Sequence, residues 1–146
     1  EAQKIIDKYF ERYAGVRAWL TQTVEQAKKD TVVTTIFGRK RSVADILSKN
    51  PSLRAAAERI VVNAPIQGAA ADIVKKAMIG VEHMLKKEKL HAKVLLQVHD
   101  ELLFEVPEKE AKKLQELAKA TMEEAAHLKV KLVVEVGSSH SWGAAH

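Results

Sequence analysis

Apolar residues recur at spacings of three and four from Ile5 through Ile6, Tyr9, Phe10, Tyr13, Val16, Trp19 and Leu20 to Val24, with Lys, Glu and Arg between them. That is the stripe of an amphipathic helix. Gly15 interrupts it, so the pattern predicts two consecutive helices or one bent helix ending near Asp30, with most of its aromatic side chains spent on packing. From Thr31 the pattern becomes a β-branched run, TVVTTI, then Phe37-Gly38 and the cations Arg39, Lys40 and Arg41, which predicts a hairpin with a glycine-containing turn. Three consecutive cations cannot all be buried, so they stand on a solvated rim or against an anion.

Residues 44–51 read as a loop ending in Asn50-Pro51-Ser52, where Asn50 or Ser52 suits the cap of a new helix and Pro51 its first turn. That helix, 53–63, is rich in alanine and able to approach a neighbour closely. Pro65 is expected to interrupt or kink it, because proline lacks the amide donor and crowds the preceding turn. A second helix is predicted from Gln67 to about Lys87, with Ile73, Ala77, Val81 and Leu85 as its apolar row. The runs 93–98 and 102–106 flank a polar tip, His99-Asp100-Glu101, the pattern of a tight antiparallel hairpin. Pro107 and Glu108 open a long helix whose buried face is predicted to carry Leu114, Leu117, Ala118, Thr121, Met122 and Ala125. Glu108 and Glu110 suit the positive end of its dipole. A last strand is expected at 131–136, before a small-residue tail containing Trp142. Helices and strands interleave, but the hairpins require antiparallel pairing, so the expected class is α+β.

Composition narrows the picture. The 146 residues are 47% hydrophobic and 29% charged, too apolar for intrinsic disorder, and the length suits one domain with a real core. There is no cysteine, which excludes a disulfide scaffold, a thiolate zinc site and a cysteine nucleophile. No stretch is long and apolar enough to span a membrane. The net charge of +5 gives modest attraction to a polyanion. Residue 1 is Glu and falls inside the first helical pattern, so a piece of a longer chain is expected.

Two places carry candidate chemistry. Asp100 and Glu101 put adjacent carboxylates between apolar strands, the kind of oxygen donors that hard divalent cations such as Mg²⁺ require. A metal-assisted phosphoryl transfer would need further carboxylates from another strand, and turns are polar for ordinary reasons of solvation. Arg59, Asn63 and Gln67 lie four residues apart, so on an uninterrupted helix they share one face. A guanidinium and two amides form a row of hydrogen-bond donors, suited to the acceptors that every base pair presents in the minor groove. The alternative is that the amides cap the break at Pro65 and Arg59 pairs with an acid.

Residues 54–73, RAAAERIVVNAPIQGAAADI, followed by QVHDELLFEV at 97–106, resemble the family A DNA polymerases of the bacterial DNA polymerase I type. YFERY at 9–13, FGRKR at 37–41, VEVG at 134–137 and Trp142 are similar to the same family in the same order, so the resemblance covers essentially the whole chain. It implies a single C-terminal piece of a polymerase domain, with residues 1–50 derived from the fingers and 51–146 from the palm. Asp100 would then be a ligand of the catalytic Mg²⁺ and Glu101 a supporting carboxylate, while His99 would contact the 3′ end of the primer. Arg59, Asn63 and Gln67 would face the minor groove of newly made base pairs, with Arg39 and Arg41 near the duplex or its backbone. The implied reaction is attack of the primer 3′-hydroxyl on the α-phosphate of a deoxynucleoside triphosphate, releasing pyrophosphate by a two-metal mechanism. A cytoplasmic, nucleoid-associated setting in replication and repair goes with it.

The chain departs from the family's pattern at Ala14 and Ala44, where proline is usual, and at Ala69, where threonine is usual; these touch turns and a helix surface. No match is found to the segment carrying the second metal-binding aspartate, nor to the helix that grips the incoming nucleotide. The chain alone is therefore expected to be inactive as a polymerase yet to bind duplex DNA weakly, and self-association is a route open to a piece cut from a larger core. Two other readings compete: a non-catalytic duplex-binding module that has lost the polymerase site, and a metal-dependent nuclease or phosphohydrolase using Asp100 and Glu101. The latter requires another acidic cluster, and the remaining carboxylates fall mostly on solvated helix faces.

Overall fold

The computed structural model describes residues 1–145. Its elements run α1 (Ala2–Arg12), α2 (Ala14–Asp30), β1 (Val32–Thr34), β2 (Lys40–Ser42), a 3-10 turn (Ala44–Leu47), α3 (Pro51–Glu88), β3 (Lys93–Val98), β4 (Glu101–Glu105) and α4 (Glu108–Glu123). Both sheets are two-stranded and antiparallel, which makes the chain α+β as expected. Contacts divide it into two compact units, Glu1–Ala69 and Ala70–His146.

In the first unit, the helix break falls at Tyr13, two residues before Gly15, and α2 ends on Thr31 in the left-handed region (φ 54°). The expectation that the aromatic stripe packs inside is corrected. No residue of α1 is buried, and Ile5, Tyr9 and Tyr13 are about half exposed or more. The rings cluster on one another instead, with Tyr9 5.4 Å from Phe10 and 4.9 Å from Tyr13, and Arg17 lies over Phe10. Periodicity specifies a face, and that face is buried only where another element lies against it. The core of this unit is built by Ala27 of α2, Val33 of β1, Val43, Ile46, and Ala57 and Val61 of α3.

α3 begins where Asn50 and Pro51 were expected to start it: the Asn50 Oδ1 accepts the Ser52 N–H at 2.9 Å, so Asn50 is the cap. Of the two outcomes expected at Pro65, interruption or kink, interruption does not occur: α3 is one element of 38 residues with the proline inside. An interior proline costs about 3 kcal/mol. Residues on both sides offset it by burial, with Ala57 and Val61 before it and Ala69, Ala77, Val81 and Leu85 after it.

In the second unit Val81, Leu85, Leu114 and Ala118 form the core, joined by half-buried Val94, Leu102, Phe104 and Met122. β3 pairs with β4 from Lys93↔Glu105 to Val98↔Glu101, with an irregularity between Val94 and Leu96. The strand expected at 131–136 is absent. A strand needs a ladder partner, and the Val134 N–H donates to the Glu123 carboxylate at 3.1 Å instead, while Val130 and Val133 stand largely exposed.

Candidate nucleic-acid interface and acidic hairpin tip

On α3, Arg59, Asn63 and Gln67 are all exposed, while Ala57 and Val61, each two residues before one of them, are buried. The helical repeat therefore sorts this segment into a core face and a donor face. Because Pro65 leaves the helix unbroken, the three donors keep one alignment, and the alternative in which the amides cap a break disappears with the break.

Arg41 joins them from β2. It pairs with Val33, and directly opposed residues of an antiparallel pair share a face of the sheet. Val33 is buried in the unit's core, so the face carrying Arg41 is turned toward the helix packed there. Arg41, Arg59, Asn63 and Gln67 line one open groove of about 470 Å³, with Ala56 and Ala64 between them. The small residues leave room for a ligand to approach the helix, and the four polar side chains carry two positive charges and no negative one. Arg39 is not part of this lining. It sits at the end of the hairpin turn, where its backbone N–H donates to the Thr35 hydroxyl and its carbonyl accepts the Thr35 N–H at 2.8 Å.

Two features that local sequence reading passed over hold this arrangement. Thr35 is a buried polar residue at 8% exposure. Gly68, next to Gln67, has no room for a Cβ, which would lie 2.6 Å from the Thr35 methyl. The hairpin thus closes on the helix at a place that only glycine allows. A threonine in a β-branched run carries no signal of this, because its partner is 33 residues away in the chain.

The other candidate is the β3–β4 tip. The expected three-residue tip is a two-residue one: Val98 pairs with Glu101, so Glu101 opens β4 and only His99 and Asp100 form the turn. His99 takes a positive φ of 52°, the backbone conformation that two-residue hairpin loops call for, here without glycine. The Gln97 side-chain amide donates to the His99 carbonyl at 2.8 Å and supports that turn. Gln97 is a further residue whose part in the site its sequence pattern did not announce. His99, Asp100 and Glu101 are all exposed.

Two neighbouring carboxylates are hard-oxygen donors of the kind Mg²⁺ takes. Their number is insufficient for a centre, since among the described residues no group of three or more His, Asp or Glu side chains is placed to hold a metal ion. By themselves Asp100 and Glu101 could supply only part of the ligand set of such an ion.

The α+β chain thus carries a cationic, amide-lined groove in one unit and an exposed acidic hairpin in the other. Comparison with known proteins makes the class specific. The profile of DNA polymerase family A matches residues 1–144. The chain belongs to that family. It is 51% identical over 142 residues to DNA polymerase I of Caldicellulosiruptor bescii, covering 97% of this chain and 17% of that protein. It is 46% identical to DNA polymerase I of Bacillus subtilis over 142 residues, covering 97% and 16%. Among solved structures, the polymerase domain of Pol1 from M. smegmatis, in complex with DNA primer-template and dNTP, superposes with a TM-score of 0.96 at 48% identity, over 99% of this chain and 26% of that one. The chain thus spans about one sixth of the length of the curated relatives it matches.

Proposed function

We propose that this chain forms part of a DNA-directed DNA polymerase, with residues 1–50 belonging to the fingers and the remainder to the palm. The observation that carries the reading is the gathering of Arg41, Arg59, Asn63 and Gln67 around one groove in a chain of this family. Guanidinium and amide N–H groups meet the adenine N3 and thymine O2 acceptors of the minor groove, which occupy similar places in every base pair. Such contacts hold a duplex without reading its sequence, and they weaken where a mispair displaces an acceptor. Arg41 and the neighbouring Arg39 supply charge for the phosphate backbone. The relative solved with primer-template and dNTP supports DNA and nucleotide as partners.

Asp100 and Glu101 serve as carboxylates toward Mg²⁺, with Asp100 the direct ligand, and His99 contacts the primer 3′ end. When bound, a pair of such ions stabilises the attacking and leaving oxygens of nucleotidyl transfer to the primer 3′-hydroxyl. The turn held by Gln97 fixes where the Asp100 carboxylate stands. Because too few ligands converge within the described residues, the chain by itself is inactive as a polymerase and binds duplex DNA weakly and in a salt-sensitive way. Such an enzyme works beside the chromosome in the bacterial cytoplasm, in replication and repair.

The experiment is primer extension and duplex titration across a salt series, on this chain and on the polymerase that contains it. Expected are no extension above background by the chain alone, extension by the whole enzyme, and an affinity that falls linearly on a log–log salt plot. Extension by the chain alone, or binding indifferent to salt, contradicts the reading.

A further inference from the structure

The hairpin turn that carries Arg39 and leads into Arg41 is tied to a single side chain. The Thr35 hydroxyl accepts the backbone N–H of Phe37 at 3.3 Å and that of Arg39 at 3.2 Å. Its own backbone is used on both sides as well, the N–H donating to the Arg39 carbonyl and the carbonyl accepting from Gly38, which sits at φ 85°. A buried hydroxyl engaged with two amides is held in one rotamer, and the Thr35 methyl fixes it from the other side by meeting α3 at Gly68. Thr35 therefore joins the cationic turn to the helix residue that follows Gln67.

We propose that Thr35 is a positioning residue for duplex binding: its hydroxyl sets the turn so that Arg41 stands over the groove of Arg59, Asn63 and Gln67. The inference rests on the reading of that groove as the duplex contact and adds what orients it. Without the hydroxyl, two amides lose their acceptor at a buried position and the turn is free to open, although every residue that could touch DNA is still present. The consequence falls on affinity for the duplex and spares chemistry at saturating DNA.

The test uses the whole polymerase carrying this chain, with Thr35→Val, which keeps the methyl and shape but removes the acceptor, and Thr35→Ser, which keeps the hydroxyl. Thr35→Val is expected to weaken primer-template affinity about three- to tenfold and to lower the magnitude of the salt slope by about one, the loss of roughly one phosphate contact. Thr35→Ser is expected to restore both. The Thr35→Val effect is expected to vanish in an Arg39→Ala/Arg41→Ala background, because the hydroxyl acts through those cations. A Thr35→Val enzyme that melts earlier but binds DNA with the parent affinity and slope would overturn the proposal, and so would a Thr35→Ser enzyme as impaired as Thr35→Val. If Thr35→Val does not fold, hydrogen exchange in the unaltered protein decides: slow exchange at the Arg39 amide supports the proposal, and exchange as fast as an exposed loop amide overturns it. Arg59→Ala separates the two levels. Should it leave duplex affinity intact, the groove reading fails and takes this proposal with it; should it weaken affinity while Thr35→Val does not, only the role of Thr35 fails.

Discussion

The groove of the first unit and the hairpin tip of the second are built from comparable material and reach different degrees of completion. Around the groove, a strand and a helix converge so that four polar side chains border one space, and a hydroxyl and a glycine fix their approach. At the tip, two carboxylates stand at the end of a hairpin with a glutamine holding the turn, and no further ligand joins them among the described residues. A row of donors can grip a duplex as it stands, since each hydrogen bond is a separate contact. A cation needs several ligands at once. The difference teaches that a row of separate donors can be gathered within one unit, whereas a cation centre needs more ligands than one hairpin tip offers.

The sharpest way to break that comparison is Asp100→Asn in the whole polymerase. On the proposed reading of Asp100 as a metal ligand that makes no duplex contact, it should lower kcat by at least about 100-fold while primer-template affinity stays near the parent value. Steady-state turnover together with a duplex titration checks it, and near-normal turnover discards the role given to Asp100. Gly68→Ala tests whether the groove depends on the close approach of hairpin and helix. Its methyl meets Thr35, which is buried and held by two amides, so a loss of about 1–3 kcal/mol in chemical unfolding is expected, accompanied by weaker duplex binding. An unchanged unfolding midpoint would show that the contact relaxes without cost.

Arg59→Ala should cost about 1–3 kcal/mol of duplex affinity and should alter discrimination against mismatched primers, with little effect on turnover at saturating DNA. It is the mirror image of Asp100→Asn, and equal effects of both on kcat and affinity would erase the distinction between the two regions. The smallest effect is expected at a residue that belongs to neither site. The Glu110 carboxylate accepts the backbone N–H of His91 at 2.8 Å and lies 3.0 Å from its ring Nδ1, and these contacts hold its pKa below the ordinary 4.5. A depressed folded pKa contributes stability that is present above the ordinary value and lost as pH falls through the folded one. Glu110→Gln should therefore lower stability slightly at neutral pH and, by the same small amount, flatten the acid-side fall below about pH 4.5. Glu25 beside Lys28 and Glu88 beside Lys113 act in the same direction, so the fall should shrink without disappearing.

Periodicity and turn chemistry by themselves determined the α+β class, the two hairpins and the exposed place of Asp100, because each depends on residues near one another in the chain. The motifs at 54–73 and 97–106 carried the family as well. Tertiary structure alone decided that α3 runs through Pro65, that the stripe of α1 stays exposed, that 131–136 forms no strand, and that Arg41 borders the donor row. Each of these turns on whether a second element is at hand to bury a face, complete a ladder or share a groove, and such a partner lies tens of residues away, where no local pattern reaches.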